Sequence, residues 1–148
     1  VDLDEDALVH ARSNAAINAV DVGFVHADVF RFLKDLREKE HPYNVLVIDP
    51  PKLARRSSEL EKARHTLIDL NRHALAAARP DSIVVSCCCA GLISVGEFLE
   101  LVEKSARRVR RAFQILEVRG AGMDHPVSPD FPEGRYLTVL VGVVRGKP

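Results

Sequence analysis

Short apolar runs alternate along the chain with longer segments in which apolar residues recur every three or four positions. A nearly continuous β-branched run is typical of a strand that is buried on both faces of a parallel sheet. The alternation of the two patterns favours α/β units over a β-sandwich or a helical bundle. The predicted strands lie at residues 22–26, 44–48, 83–87, 113–118 and 136–144.

The segments with helical spacing each present one apolar face. Asp4 is placed to cap the first helix, which is expected to end near Asn18, and residues 39–42 are expected to close the second. The four apolar faces consist of Ala7, Leu8, Ala11 and Ala15; Val29, Leu33 and Leu36; Leu60, Ala63, Leu67, Leu70, Ala74 and Ala77; and Phe98, Val102, Ala106 and Val109. Without an internal repeat or a linker, residues 1–148 are expected to form a single domain.

Composition narrows the class of protein. Of the 148 residues, 47% are hydrophobic and 28% are charged, and 21 Lys and Arg balance 21 Asp and Glu. This composition excludes a disordered chain, three cysteines are too few for a disulfide scaffold, and no apolar stretch is long enough to span a membrane. The acidic start of the sequence is unlike a signal peptide, so a reducing, cytoplasmic location is expected.

Candidate chemistry lies just after the apolar runs, because ligands of an open α/β sheet bind beyond the carboxyl ends of its strands. Asp2, Asp28, Asp49 and the three consecutive cysteines at 87–89 occupy such positions. Asp2 and Asp28 could instead cap helices. Asp49 is followed by two prolines, which fix the backbone at the end of a buried strand.

Seven short motifs lie in order along the chain: Val1-Asp2-x-x-x-x-Ala7-Leu8, Ala27-Asp28-Val29-Phe30, Asp49-Pro50-Pro51-Lys52, Asp69-Leu70-Asn71, Cys88-Cys89-x-Gly91-Leu92, Asp124-His125-Pro126 and Pro132-Glu133-Gly134-x-Tyr136-Leu137. Their order and spacing resemble the class I S-adenosylmethionine-dependent methyltransferases. Within that class, they resemble the large-subunit ribosomal RNA 5-methylcytosine methyltransferases.

The resemblance implies a Rossmann-like, mostly parallel sheet of strand order 3-2-1-4-5-7-6 with an antiparallel last strand. The glycine-rich loop that follows the first strand in this family has no counterpart before Asp2. The expected fold is therefore truncated at its N-terminus. A homodimer that completes the sheet is an expected assembly, and a non-catalytic fragment that serves as a binding or assembly module is an alternative function.

The resemblance also implies S-adenosylmethionine as the cofactor. Asp2 would accept hydrogen bonds from its ribose hydroxyls, and Leu3 is assigned to the same cofactor. Asp28 would meet the exocyclic amine of adenine, with Val29 beside the ring. The Asp49-Pro50 pair would border both the methionine end of the cofactor and the target base.

The implied reaction is methyl transfer to C5 of a cytosine in large-subunit rRNA. C5 is a poor nucleophile, so a thiol must first add to C6, and the catalytic cysteine of the family aligns with Cys89. We expect Cys89 in a partly exposed, electropositive position, where Lys52 or the sulfonium of the cofactor lowers its pKa. Asp49 would hydrogen-bond or protonate the edge of an unpaired or flipped base. Alternatively, the three cysteines are small buried strand residues, with Cys87 and Cys89 on one side and Cys88 on the other.

Five residues are expected to contact the RNA substrate: Pro51, Lys52, Arg55, Arg56 and His125. The alternatives are a solvated basic loop and an ordinary surface histidine. No second pair of Cys or His ligands has metal spacing, so no metal is expected. A methyltransferase that acts on another atom or substrate is the second enzymatic hypothesis, because Asp-Pro-Pro also suits exocyclic amines.

Overall fold

The computed structural model describes residues 1–38 and 43–146. The chain divides into two compact units, a first up to residue 40 and a second from residue 41. The first unit contains helix α1 (Glu5–Ile17) and helix α2 (Val29–Glu38). Asp4 caps α1 as expected, since its Oδ1 accepts a hydrogen bond from the backbone N of Ala7 at 3.0 Å.

The second unit contains a four-stranded sheet and two longer helices. Its elements are β1 (Val45–Ile48), α3 (Leu60–Ala77), β2 (Ile83–Cys88), α4 (Val95–Arg108), β3 (Ala112–Arg119) and β4 (Thr138–Arg145), with short 3-10 turns at Ser57–Glu59 and Pro132–Gly134. The strand order is β1-β2-β4-β3. Since β1 and β2 are parallel and β4 is antiparallel to both of its neighbours, β1, β2 and β3 run in one direction.

Helices α3 and α4 pack on one face of this sheet. Leu67 of α3, Phe98 of α4 and Leu140 of β4 belong to one buried cluster. Successive strand residues point to opposite faces, so the other face of β1 carries Val45 and Val47, which are 54% and 66% exposed. The expectation that the β-branched run at 44–48 is buried on both faces is therefore wrong. The covered face supplies the core and leaves the ends of the strands accessible.

The sheet confirms the mostly parallel α/β fold with an antiparallel last strand. The strand order β1-β2-β4-β3 of this chain corresponds to strands 4-5-7-6 of the expected family order 3-2-1-4-5-7-6. The four longer apolar runs form strands and the four helical segments form helices, with ends shifted by no more than three residues. The expected end of the second helix at 39–42 lies outside the described residues. That residues 1–148 form a single domain stays a prediction.

The strand expected at residues 22–26 is wrong, because only His26 makes a β bridge, parallel to Asp2. The backbone N of Asp2 donates to the O of Val25 at 3.1 Å, and the N of Ala27 donates to the O of Asp2 at 3.0 Å. A ladder needs consecutive paired residues on both strands, and among the described residues this bridge is isolated. An apolar run forms a strand only where a partner pairs with it along its length.

Candidate active site

Asp49 and Cys89 lie side by side at the carboxyl end of the sheet. Asp49 follows β1 and Cys89 follows β2, and these strands are parallel neighbours. The Cys89 thiol donates a hydrogen bond to Oδ1 of Asp49, with an Sγ–Oδ1 distance of 3.9 Å. Asp49 is exposed and Cys89 is half-buried, so solvent and ligands can reach both. The fold therefore brings together the two residues that the sequence analysis assigned to catalysis.

The surroundings of Cys89 favour its neutral thiol. Burial raises the pKa of Cys89, the charge and hydrogen bond of Asp49 raise it further, and the ammonium group of Lys52 lowers it. The expectation that Lys52 lowers the pKa of Cys89 below its ordinary value is therefore wrong, because burial and the Asp49 carboxylate outweigh Lys52. The effect of the sulfonium stays a prediction. Whether Cys89 is the nucleophile stays a prediction.

The other two cysteines are more deeply buried than Cys89. Cys88 belongs to the core cluster that contains Leu140, and burial raises its pKa. Burial also raises the pKa of Cys87 to about 11, with smaller contributions from Asp49 and Cys89. Cys87 and Cys88 therefore fit the alternative of small buried strand residues.

A buried hydrogen bond fixes β2 against α3 just before Cys89. Ser86 Oγ donates to Oδ1 of Asn71 at 2.7 Å, and Nδ2 of Asn71 donates to the carbonyl of Leu67 at 2.9 Å. Ser86 is 0% exposed and Asn71 is 1% exposed. A buried amide whose oxygen and nitrogen are both satisfied holds its position firmly, because no water can replace a lost partner. This pair sets where the end of β2 lies relative to α3.

A basic loop follows Asp49 and carries the exposed side chains of Lys52, Arg55 and Arg56. Glu59 fixes the loop, because its Oε2 accepts hydrogen bonds from the backbone N of Arg55 at 2.7 Å and of Arg56 at 3.3 Å. These bonds, above all the one from Arg55, lower the pKa of Glu59. Among the described residues neither guanidinium group forms an ion pair, so both are available to an anionic ligand such as phosphate. Pro51, at the start of the loop, is also exposed.

His125 lies in the loop between β3 and β4. The loop ends at the start of β4, where Thr138 pairs with Cys88, so it returns to the same end of the sheet as the candidate site. His125 Nδ1 is 3.0 Å from Oδ2 of Asp124, and both side chains are exposed. The role of His125 in RNA binding stays a prediction.

In the first unit, Asp2 and Asp28 lie close to the parallel bridge. Asp2 Oδ1 accepts a hydrogen bond from the backbone N of Asp4 at 2.9 Å. Asp28 Oδ1 accepts one from the backbone N of Arg31 at 3.0 Å, in the first turn of α2. The capping alternative is therefore realised at Asp28, and Asp2 binds the backbone that leads into α1.

Capping leaves these two carboxylates able to bind a further ligand. Both are exposed, and Oδ2 of neither Asp2 nor Asp28 accepts a hydrogen bond from a described residue. Leu3 is 63% exposed, with its carbonyl 2.9 Å from Nε2 of His26, and Val29 is half-buried. Hydroxyl and amine groups are hydrogen-bond donors, so the available oxygens fit the ribose and adenine contacts implied by the resemblance.

In the part of the chain that the structure describes, no group of three or more His, Cys, Asp or Glu residues is arranged to hold a metal ion. No helix in it combines the length and the apolar character needed to cross a membrane.

No protein-family profile matches the chain, but individual proteins do. The ribosomal RNA large subunit methyltransferase I of Aeromonas salmonicida is 37% identical over 144 residues, which are 95% of this chain and 36% of that protein. The protein of the same name from Shewanella denitrificans is 37% identical over 147 residues, which are 97% of this chain and 37% of that protein. The chain is a relative of ribosomal RNA large subunit methyltransferase I. It spans little more than a third of these relatives' length.

Two solved structures share the fold. SMU.776, a proposed methyltransferase in complex with SAH, matches with a TM-score of 0.74 and 23% identity over 95% of this chain and 37% of that one. A methyltransferase homolog from Pyrococcus horikoshii matches with a TM-score of 0.67 and 15% identity over 99% of this chain and 52% of that one. At these identities the likeness shows the fold alone, and it confirms the class I methyltransferase sheet.

The relationship to the rRNA methyltransferases confirms the resemblance carried by the seven motifs. One of these motifs contains Asn71, whose burial the motif alone does not predict. Asn71 lies four residues after Leu67 and three before Ala74, on the apolar face of α3. A polar residue at this spacing predicts a buried, hydrogen-bonded side chain, and that signal could have identified the contact with Ser86.

Proposed function

We propose that this chain is part of an S-adenosylmethionine-dependent methyltransferase that modifies C5 of a cytosine in large-subunit rRNA. The observation that supports the proposal best is the contact between Cys89 and Asp49 at the carboxyl ends of adjacent parallel strands. The names of the relatives support rRNA as the substrate. The cytoplasmic location stays a prediction alongside it.

The chemistry of cytosine explains why a thiol and a carboxylate would act together. C5 carries too little electron density to attack a methyl donor until a nucleophile has added to C6. Cys89 is the partly exposed cysteine at the site, and Asp49 beside it would hydrogen-bond the edge of the base. Loss of the C5 proton to a base then restores the double bond and expels the sulfur from C6.

The proposed cofactor is S-adenosylmethionine, which supplies the methyl group when bound. Asp2 and Asp28 each retain an available carboxylate oxygen for a hydroxyl or amine donor. Leu3 and Val29 remain assigned to the same ligand through the resemblance. Asp49-Pro50 is proposed to border its methionine end.

The proposed RNA contacts have two parts. Lys52, Arg55 and Arg56 would bind phosphate groups and position the RNA without reading its sequence. Pro51 and His125 are assigned to the same substrate. The target cytosine must be unpaired or flipped out, because its C6 is inaccessible within a stacked duplex.

The experiment that tests this function is covalent trapping on RNA that contains 5-fluorocytosine, with S-adenosylmethionine present. Fluorine at C5 cannot leave as a proton, so the adduct between Cys89 and C6 accumulates and is visible as a slower-migrating band. We expect Cys89→Ala to abolish the band and Cys88→Ala, which removes a core thiol, to retain it. A band of equal strength in Cys89→Ala would overturn the assignment.

The second candidate is methyl transfer to another atom or substrate, such as an exocyclic amine. The raised pKa of Cys89 favours it, because an amine methyltransferase needs no thiolate beside Asp49-Pro50-Pro51. Methylation of RNA by the wild-type chain without any trapped band would support this candidate and exclude the first.

The third candidate is a non-catalytic binding or assembly module. β1 lies at the edge of the described sheet and carries the exposed Val45 and Val47. A homodimer that completes the sheet along this edge stays a prediction, and light scattering over a range of concentrations measures it. A stable dimer that neither methylates nor traps RNA would favour the assembly role.

A further inference from the structure

Basic side chains collect at the end of the sheet opposite to the candidate active site. Residues 104–111, here called the basic segment, contain five Lys and Arg and no Asp or Glu. The basic segment covers the end of α4 and the turn that leads into β3. The whole chain has 21 basic and 21 acidic residues, so positive charge is concentrated locally on a chain without net charge.

The topology places the basic segment far from Cys89. β2 and β3 run in the same direction, and their register against β4 sets their first residues at the same end of the sheet. Cys89 follows the last residue of β2, whereas Arg111 precedes the first residue of β3. β2 has six residues, each with a rise of about 3.3 Å, so about 20 Å separates the two regions along the strands.

Local contacts hold the backbone of the basic segment in place. α4 ends in a Schellman motif, in which the N–H of Arg110 donates to the carbonyl of Arg107 and the N–H of Arg111 donates to the carbonyl of Ala106, both at 3.1 Å. Nη2 of Arg111 also donates to the carbonyl of Ala78 at 3.3 Å, which joins the end of α4 to the end of α3. A ligand that binds here meets a backbone that is already ordered.

Three cations of the basic segment are available to a ligand. Lys104, Arg108 and Arg110 are exposed, and their side chains form no ion pair or hydrogen bond with another described residue. Arg107, in contrast, pairs with Glu103 at 2.6 Å. Lys104 and Arg108 lie one turn apart on the same side of α4, and Arg110 follows just beyond the end of the helix.

Arg110 occupies a backbone position that favours glycine. Its φ is 54°, in the left-handed region, where a Cβ atom is strained. The helix dipole accounts for Arg107 and Arg108 in the last turn of α4, but it does not require an arginine at the glycine position of a Schellman motif. A cation held in a strained conformation favours a binding role over a solvated helix end.

We propose that Lys104, Arg108 and Arg110 bind the phosphate backbone of a double-stranded segment of the RNA substrate. The inference goes beyond the proposed function and takes from it only that the partner is RNA. Guanidinium groups match the geometry of phosphate, and such contacts position RNA without reading its sequence. A stiff duplex crosses the distance of about 20 Å to the candidate active site without further ordering, whereas a single strand would lose conformational entropy along the way.

The test measures RNA binding by fluorescence anisotropy at a series of salt concentrations. One probe is a hairpin with a stem of about 16 base pairs, the length that a double-stranded RNA-binding domain spans, and the other is a single strand with the loop sequence alone. The variant combines Arg108→Gln with Arg110→Gly. The matched control combines Lys34→Gln with Arg37→Gln, which removes two exposed cations of α2.

The docking surface predicts a loss that is confined to the hairpin. Each lost phosphate contact lowers the slope of log affinity against log salt by about 0.9, the value for a DNA duplex, so the variant should lose roughly 60-fold of the affinity gained per tenfold fall in salt. Binding of the single strand should not change, and the control should leave both probes unaffected. Arg110→Gly alone should raise the melting temperature, because glycine relieves the strain at this φ, so weaker binding cannot arise from a damaged fold.

The other outcomes separate this inference from the proposed function. An unchanged slope for the hairpin, or no binding of the hairpin by the wild-type chain, would overturn the docking surface and favour an acidic protein as the partner of these cations. An equal loss for both probes would overturn the assignment to a duplex. If the wild-type chain traps no 5-fluorocytosine RNA but the hairpin effect remains, the cytosine C5 chemistry fails and the docking surface is supported.

Discussion

The buried pair formed by Ser86 and Asn71 makes a prediction whose magnitude follows from the structure. Ser86→Ala removes the donor at 2.7 Å and leaves Oδ1 of Asn71 without a partner in a position that is 1% exposed. An unsatisfied buried polar group costs about 1–3 kcal/mol. Asn71→Leu leaves the Ser86 hydroxyl without its acceptor and carries a similar cost.

The double substitution should cost much less than the two single ones together. With Asn71→Leu and Ser86→Ala combined, neither side chain has a polar group left to satisfy, and replacing both partners by apolar groups of similar shape can be nearly neutral. The expected coupling is about 1–2 kcal/mol, within the range for residues in direct contact.

Urea unfolding followed by circular dichroism measures the four free energies of this cycle. Ser58→Ala, at an exposed serine of a 3-10 turn, is the control and should change the free energy of unfolding by less than about 0.5 kcal/mol. Additive effects of Ser86→Ala and Asn71→Leu, or a cost for Ser86→Ala as small as the control's, would refute the reasoning. Either result would mean that this hydrogen bond does not hold β2 to α3.

Four further predictions concern stability and ligand binding. The neutral thiol of Cys87, with its pKa raised from 9.0 to about 11, stabilises the fold below pH 9, and this contribution of at most about 3 kcal/mol is lost as the pH rises to 11. Urea titrations at pH 8 and pH 11 should therefore differ less for Cys87→Ala than for the wild type. Gly142→Ala should lower the melting temperature, because its Cβ would lie 2.4 Å from the ring of Phe113, an overpacking cost of about 1–3 kcal/mol. Asp2→Ala should weaken S-adenosylhomocysteine binding in calorimetry, and unchanged binding would remove Asp2 from the proposed cofactor contacts. Arg55→Gln should reduce the slope of log affinity against log salt for single-stranded RNA by about 0.7, the value for one lost phosphate contact, and an unchanged slope would exclude that contact.

The sequence predicts the architecture of the second unit well because its signals are local and strong. β2 and β4 carry long β-branched runs, and each has a partner on both sides in the sheet. The run at 22–26 also contains β-branched and aromatic residues, yet it forms only one bridge because strand formation depends on a partner that is distant in sequence. Periodicity therefore predicts which segments can pair, and the available partners decide which of them do.

At the candidate site, the sequence predicts the positions of the residues better than it predicts their pKa values. The sequence predicts that Asp49 and Cys89 follow separate strands, and the parallel pairing of β1 and β2 brings the two residues into contact. It does not predict the direction of the Cys89 pKa shift, because that depends on burial and on which charged side chain is closer in space. Burial and the Asp49 carboxylate raise the pKa of Cys89, so the attack proposed for this thiol would need a proton acceptor. Because Asp49 contacts the thiol and raises its pKa, we expect the chemistry proposed for this site to be most sensitive to substitution at Asp49.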